Sequence, residues 1–223
     1  MSALLATLLN HPAIWRGDDC ARVNDTVPSG HLELDAVLPG GGWPRGALTE
    51  LLVERPGIGE LRLLLPALSW LAREDRWLAF IAPPYLPYAP TLARCGIDPA
   101  RLICVRTPVL QEQLWAAEQA LRSSACAAVV MWPSQLDEKS ARRFQLAAEE
   151  GHALGMLYGK AGQPRASAAP LRLQLSAAGD GLAVKVLKRR GSQVAPLVLR
   201  STLPPMPHPA LRVQRHYEER ALS

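Results

Sequence analysis

The sequence predicts an α/β fold: an open, mainly parallel sheet flanked by helices, with a C-terminal antiparallel hairpin and a flexible tail. Continuous apolar runs recur as WLAFIA (77–82), LICVR (102–106), AAVVMW (127–132) and LGMLY (154–158), and short unbroken runs of this kind mark strands covered on both faces. Between them lie longer stretches with apolar residues at helical spacing, so successive strands are joined by crossover helices and run parallel. Residues 171–175 (LRLQL) and 182–187 instead alternate strictly around Gly179-Asp180-Gly181, which is the pattern of a hairpin with one wet face.

Taken in order, residues 2–9 read as a short apolar helix ended by Asn10 and Pro12, and residues 18–27 as polar and irregular. Residues 29–65 organise the chain: a turn, a short apolar helix, a glycine loop turned by Pro44, a leucine-rich strand over 47–53, a second glycine loop and an amphipathic helix. In that helix Leu61, Leu64, Leu65, Leu68, Leu71 and Ala72 share one face, and Pro66 inside it is expected to kink it or cost a hydrogen bond. Residues 83–90 form a proline-rich loop before a short helix that runs to Cys95 and stops at Gly96. Leu110, Leu114, Ala117 and Leu121 place a helix over 109–123. Asp137 caps another that runs to Glu150, with Gly151 as its stop signal. Three segments follow: an N-terminal helix and linker (1–27), a core (28–200) and a basic, proline-rich tail (201–223).

With 223 residues the chain suffices for one α/β domain with extensions. No apolar run approaches the ~18 residues that span a bilayer, and the apolar N-terminus lacks a basic flank and a small-residue cleavage site, so a cytoplasmic protein with no membrane partner is expected. Residues 1–110 carry a net charge of −1 and residues 111–223 one of +6; a basic second half suits nucleic acid or an acidic partner, although arginines also serve as solvated surface. Cys20, Cys95, Cys104 and Cys126 show neither disulfide nor zinc spacing, and Cys104 and Cys126 read as small hydrophobes of strands. Of six tryptophans, Trp77, Trp115 and Trp132 fall in strand or helix cores, whereas Trp15, Trp43 and Trp70 look less buried. The five histidines do not cluster, and no hydrolase or metal centre can be built from spacing.

Strand, glycine loop and helix over 47–71 is the layout of a P-loop, in which backbone N–H groups hold phosphates and a lysine reaches the terminal ones. Here Gly57 and Gly59 are followed by Glu60 and Leu61 at the lysine and hydroxyl places. A carboxylate repels a triphosphate and leucine offers Mg²⁺ nothing. The apolar strands that would supply metal- and water-binding carboxylates end at Ala82-Pro83 and Trp132-Pro133. The reading is a degenerate P-loop in a protein that is not an enzyme, with no catalytic, metal or cofactor-binding residues and no cofactor. Lys160, Arg165, Lys185, Lys188, Arg189 and Arg190 are the candidate nucleic-acid or partner-binding residues, with the alternative that arginines beside an edge strand only block edge pairing.

Ser29-Gly30, Leu34-Asp35, the loop from Gly40 to Gly46 and Glu50 resemble the opening of a RecA core. From Leu48 to about Tyr158 the order of apolar blocks is similar to SulA, the cell-division inhibitor of the bacterial damage response, down to Arg76-Trp77 after a leucine-rich helix. With the basic extension, the whole resembles the ImuA family of translesion-synthesis accessory proteins. That resemblance implies a RecA-like fold and a non-catalytic role in damage-induced mutagenesis. The partners it implies are RecA, an inactive Y-family polymerase homologue and its associated error-prone replicative-type polymerase, with DNA contact left open. The alternative is a SulA-like inhibitor that binds FtsZ. On that resemblance Arg76, Ile81 and Arg101 match the partner surface in residue type, while Thr91 stands where it has a tryptophan.

Overall fold

The computed structural model describes residues 25–162, 167–179, 181–189 and 194–200. The helix read over 2–9 and the tail from 201 lie outside these residues. Among the described residues, ten strands and five α-helices, with a 3-10 turn at Pro99–Arg101, follow in chain order. Strand β1 (Thr26–Val27), helix α1 (Leu32–Asp35) and strand β2 (Trp43–Pro44) come first, with β1 and β2 pairing antiparallel as a small separate sheet. The chain then alternates through β3 (Ala47–Val53), α2 (Glu60–Leu71), β4 (Trp77–Ile81), α3 (Ala89–Arg94), β5 (Leu102–Val105), α4 (Leu110–Arg122), β6 (Cys126–Met131), α5 (Glu138–Gly151) and β7 (Leu154–Lys160). It closes with β8 (Leu171–Ala178), β9 (Gly181–Lys188) and β10 (Leu197–Arg200).

The main sheet has eight strands in the order β10-β9-β8-β3-β7-β6-β4-β5. From β8 to β5 every pairing is parallel, and β9 and β10 continue it antiparallel. The hairpin is therefore as expected, but it is not the edge. A third strand, β10, covers β9; its four residues are too few to offer a periodic signal of their own.

One face of the sheet packs on α1 and α2 through Leu34, Leu64, Leu68 and Leu71, joined by Phe80, Val130 and Met156. The other face packs on α4 and α5 through Ala117, Leu121, Phe144 and Ala147. All seven residues of β3 are buried, as are all six of β6, because both strands are central. The edge strand β5 is not covered in this way. Cys104 lies exposed there rather than acting as a core hydrophobe, while Cys126 on β6 is buried.

Two further expectations are corrected. Trp43 is fully buried, whereas Trp115 is 64% and Trp77 42% exposed, contrary to expectation; Trp70 is exposed and Trp132 packs against the core as expected, and Trp15 lies outside the described residues. Trp115 sits in a good helix but on its solvent side, and Trp43 follows a glycine loop yet packs inward. Gly151 is the last helical residue, not the left-handed stop; His152 takes that conformation with φ 54°. Glycine is required at 151 for another reason: a Cβ there would lie 2.1 Å from the Leu121 carbonyl oxygen, where α4 and α5 end against each other.

Candidate partner surface at the carboxyl end of the sheet

Parallel strands β3, β4 and β6 end on one side of the sheet, where open α/β folds place ligands. The loop after β3 has Gly57 and Gly59 in the left-handed region, with φ 88° and 96°, conformations that glycine adopts without steric cost. Its backbone would suit an anion at the start of α2. The anion is the chain's own: the Glu60 carboxylate accepts from the Gly57 N–H with its two oxygens at 3.0 and 3.1 Å. The Glu60 carbonyl accepts from the Tyr158 phenol at 2.8 Å, which ties α2 to β7. Burial, and secondarily the Glu60 charge, holds that phenol well above its ordinary range.

Beside this loop the place of a nucleotide is taken up by rings. Trp132 stacks on Tyr158 with centroids 5.0 Å apart and planes 8° from parallel, and meets Phe80 edge-on at 5.6 Å. Above them lies a cleft of about 310 Å³ whose outer wall is the segment 83–88. The segment starts at a strained point, since Ala82 holds φ 51° just before Pro83, a costly conformation for a residue with a Cβ. The result is a lip on which Tyr85 is 74%, Leu86 51% and Tyr88 54% exposed. Next to it runs the open edge β5 with Ile103 and Cys104 exposed. Exposed apolar and aromatic residues gathered around a cleft mark a binding surface.

The residues proposed from resemblance to SulA separate sharply. Arg76 is turned inward: its guanidinium donates to the Ser124 carbonyl at 2.7 Å, to that of Cys126 at 2.5 Å and to that of Gly151 at 2.9 Å. It fastens the entry of β6 to the end of α5. Ile81 is 2% exposed, inside the core against α4. An inward β4 residue and a cation bonded to carbonyls read the same in sequence as surface ones. Arg101 does lie at the surface, paired with Asp75 at 2.6 Å. Tyr85, Leu86 and Tyr88 lie in the segment that the sequence marks only as a proline-rich loop, and tyrosines among prolines are its one signal of an exposed surface.

Among the described residues, Lys160 stands apart from the basic residues of β9. Lys160 ends β7, three strands away from β9, which carries Lys185 and Lys188; at a strand spacing near 4.8 Å that is about 14 Å. Lys160 pairs in register with Val53, while Lys188 lies opposite Arg172, which pairs with Glu50, three residues away along β3. Arg189 donates to the Val37 carbonyl at 2.5 Å, so it holds α1 to the hairpin. Arg165 and Arg190 lie outside the described residues. Among the described residues no group of His, Cys, Asp or Glu could hold a metal ion, and no helix is long and apolar enough to cross a membrane.

Residues 46–155, from the start of β3 into β7, match the family model described as Cell division inhibitor SulA. Over that segment, just under half of its length, the chain is similar to the SulA family. Over 108 residues it is 32% identical to the cell division inhibitor SulA of Edwardsiella piscicida, a stretch covering 48% of this chain and 64% of that one. It is 27% identical to the protein of the same name from Yersinia enterocolitica, over 50% of this chain and 67% of that one, and 26% identical to that of Serratia marcescens, over 52% and 69%. The chain thus spans between about half and two thirds of the length of the curated relatives it matches, and 64% of the Edwardsiella protein. The crystal structure of SulA from Pseudomonas aeruginosa is 28% identical over 49% of this chain and 95% of that one, with a TM-score of 0.42.

These findings correct the translesion-accessory reading. The relatives carry the name of a division inhibitor, and the matched segment is the core rather than the basic extension that argued for mutagenesis. The RecA and polymerase partners implied by the ImuA resemblance fall with it.

Proposed function

We propose that the protein is a SulA-like inhibitor of cell division, active in the response to DNA damage, that binds FtsZ without catalysing a reaction. The observation that carries this reading is the SulA match over residues 46–155, which takes in the cleft, the exposed lip and the edge strand β5. The loop geometry agrees, since its anion position is occupied by Glu60 and the nucleotide place by Phe80, Trp132 and Tyr158. Such a protein acts by stoichiometric binding. Its contact surface is centred on Tyr85, Leu86 and Tyr88; Arg101, just before β5 and level with Trp77, lies at the other end of the sheet and outside this surface. A few exposed aromatic and aliphatic anchors of this type dominate interface energies.

The experiment is FtsZ polymerisation followed by sedimentation with increasing full-length protein, alongside cell filamentation on expression. Inhibition that saturates near equimolar protein is expected. Tyr85→Ser with Tyr88→Ser should weaken it by tenfold or more, about 1.4 kcal/mol or above, whereas Lys185→Gln with Lys188→Gln should not. Unaltered polymer yield at a severalfold excess of folded protein would exclude the function.

A further inference from the structure

Among the described residues, β5 is the last strand on its side of the main sheet, with β4 as its neighbour. The backbone groups it leaves over follow from one hydrogen bond. The Ala82 N–H donates to the Val105 carbonyl at 2.8 Å, so Val105 faces β4, and by the alternation of a strand Ile103 does too. Leu102, Cys104 and Arg106 therefore direct their N–H and C=O groups away from the sheet. The Leu102 N–H is taken by the Pro99 carbonyl of the preceding turn. The Leu102 carbonyl, both groups of Cys104 and the Arg106 N–H remain, a row that matches the main chain of one more strand.

The side chains define what that strand would be. Edges are ordinarily protected by a charge or a proline within the strand, but β5 reads Leu102-Ile103-Cys104-Val105, with Ile103 and Cys104 exposed. Positive charge stands at both ends instead. Arg101 precedes the strand at its amino end and Arg106 follows it at its carboxyl end, about 17 Å away at the rise of a strand. Arg106 is exposed and forms no ion pair among the described residues. Arg101 gives its Nη1 to Asp75, which leaves the rest of the guanidinium fork for a second carboxylate. The same charges disfavour a second copy of this chain. Antiparallel pairing about Cys104 would set Arg106 opposite Leu102 of the second copy and beside its Arg101, like against like at each end.

We infer that β5 accepts an extended segment of a partner protein as a further strand of the sheet, and that this segment is β-branched in its middle and carries a carboxylate toward each end, opposite Arg101 and Arg106. Main-chain hydrogen bonds to Leu102, Cys104 and Arg106 hold the added strand, its β-branched side chains cover Ile103, and the end charges fix its register. The edge takes such a strand whether or not FtsZ is the protein that carries it.

The probe is the peptide Ser-Glu-Thr-Val-Thr-Val-Glu-Ser, blocked at both ends, labelled, and titrated by fluorescence anisotropy against the full-length chain. Its carboxylates have the spacing of the two arginines. The same peptide with both Glu changed to Lys should bind about tenfold more weakly or worse. Cys104→Pro should weaken the acidic peptide by about tenfold or more, whereas Cys104→Ser should not. Proline removes the outward N–H and spares the bonds of Ile103 and Val105 to β4, a position where edge strands tolerate it. No binding of the acidic peptide at millimolar concentration, equal binding of the two peptides, or undiminished binding to folded Cys104→Pro protein each overturns the inference. A second measurement needs no variant. With the acidic peptide at about ten times its Kd, the Cys104 and Arg106 amides of the wild type should exchange hydrogen about tenfold more slowly, and those of β6 at an unchanged rate. No slowing at Cys104 and Arg106 overturns the added strand. Protection of these amides that rises with protein concentration in the absence of peptide would assign the edge to a second copy and overturn the acidic partner.

Discussion

The Glu60 carboxylate sits 3.0 and 3.1 Å from the amide nitrogen of Gly57, three residues earlier, in the position where a loop of this shape would hold a phosphate. A bound nucleotide must expel that carboxylate and then meet no lysine. Millimolar ATP with magnesium is therefore expected to leave the melting temperature unchanged, although a ligand at ~100 times its Kd would add about 2.7 kcal/mol. Glu60→Ala should cost about 1 kcal/mol by freeing the loop amide. Glu60→Lys should still not hydrolyse ATP, because β4 and β6 run into Ala82-Pro83 and Trp132-Pro133 without a carboxylate. Differential scanning calorimetry and phosphate release check these outcomes.

Arg76 and Arg101 predict opposite phenotypes. Removing the Arg76 side chain leaves three carbonyls at the junction of β6, α4 and α5 without their donor, and charged hydrogen bonds of this kind support a loss of roughly 3 kcal/mol. Arg101 is 48% exposed in its pair with Asp75, so Arg101→Ala should alter stability by at most about 0.5 kcal/mol. Urea denaturation separates the two. An Arg76→Ala protein that unfolds with the wild type's midpoint, yet has lost division inhibition, would return Arg76 to the partner surface.

Most of the architecture was legible because the strands are central. Residues 47–53, 78–81 and 126–131 are buried on both faces and accordingly read as unbroken apolar runs. The hairpin was equally plain, since β8 alternates buried and half-buried residues. What failed were features set by position in the assembled fold. Strand β5 has an apolar sequence but lies at an edge, which exposes Cys104. The inward turn of Arg76 depends on carbonyls 48 to 75 residues later in the chain. The degenerate loop was visible as an absent lysine, but its replacement of phosphate by Glu60 was a matter of geometry.

The parallel pairing of β3 with β8 carries a charge into the core. Glu50 is fully buried, and its carboxylate accepts from the Arg172 guanidinium at 2.5 Å across directly paired residues. Removing one member of a buried pair strands the other, so Arg172→Met should cost about 3 kcal/mol or more. The double variant Glu50→Leu with Arg172→Met should recover much of that loss, since a well-packed apolar pair can replace an ion pair. A double-mutant cycle in urea measures the coupling, and strict additivity of the two single changes would contradict the contact.

Tyr158 supplies an alkaline limit to stability. Its phenol is buried, stacked on Trp132 and donates to the Glu60 carbonyl at 2.8 Å, and burial raises its pKa well above the ordinary value. The unfolded chain loses this proton near pH 10, while the folded chain keeps it. Below that pH the phenol's contribution is fully present. Above it the unfolded state is favoured by ionisation, and stability declines as pH rises toward the folded pKa. The thiols of Cys126, raised chiefly by burial, and of Cys104, raised by partial desolvation at its edge strand, push in the same direction from a lower starting point, so the wild type alone does not isolate the phenol. Tyr158→Phe does. At neutral pH it should lose about 1 kcal/mol with the hydrogen bond to Glu60. Between pH 10 and 11 its stability should fall less steeply than that of the wild type, by up to one proton's worth, roughly 1.4 kcal/mol per pH unit. Denaturation midpoints of the two proteins across that range provide the measurement, and parallel curves would show that the phenol is not held protonated by the fold.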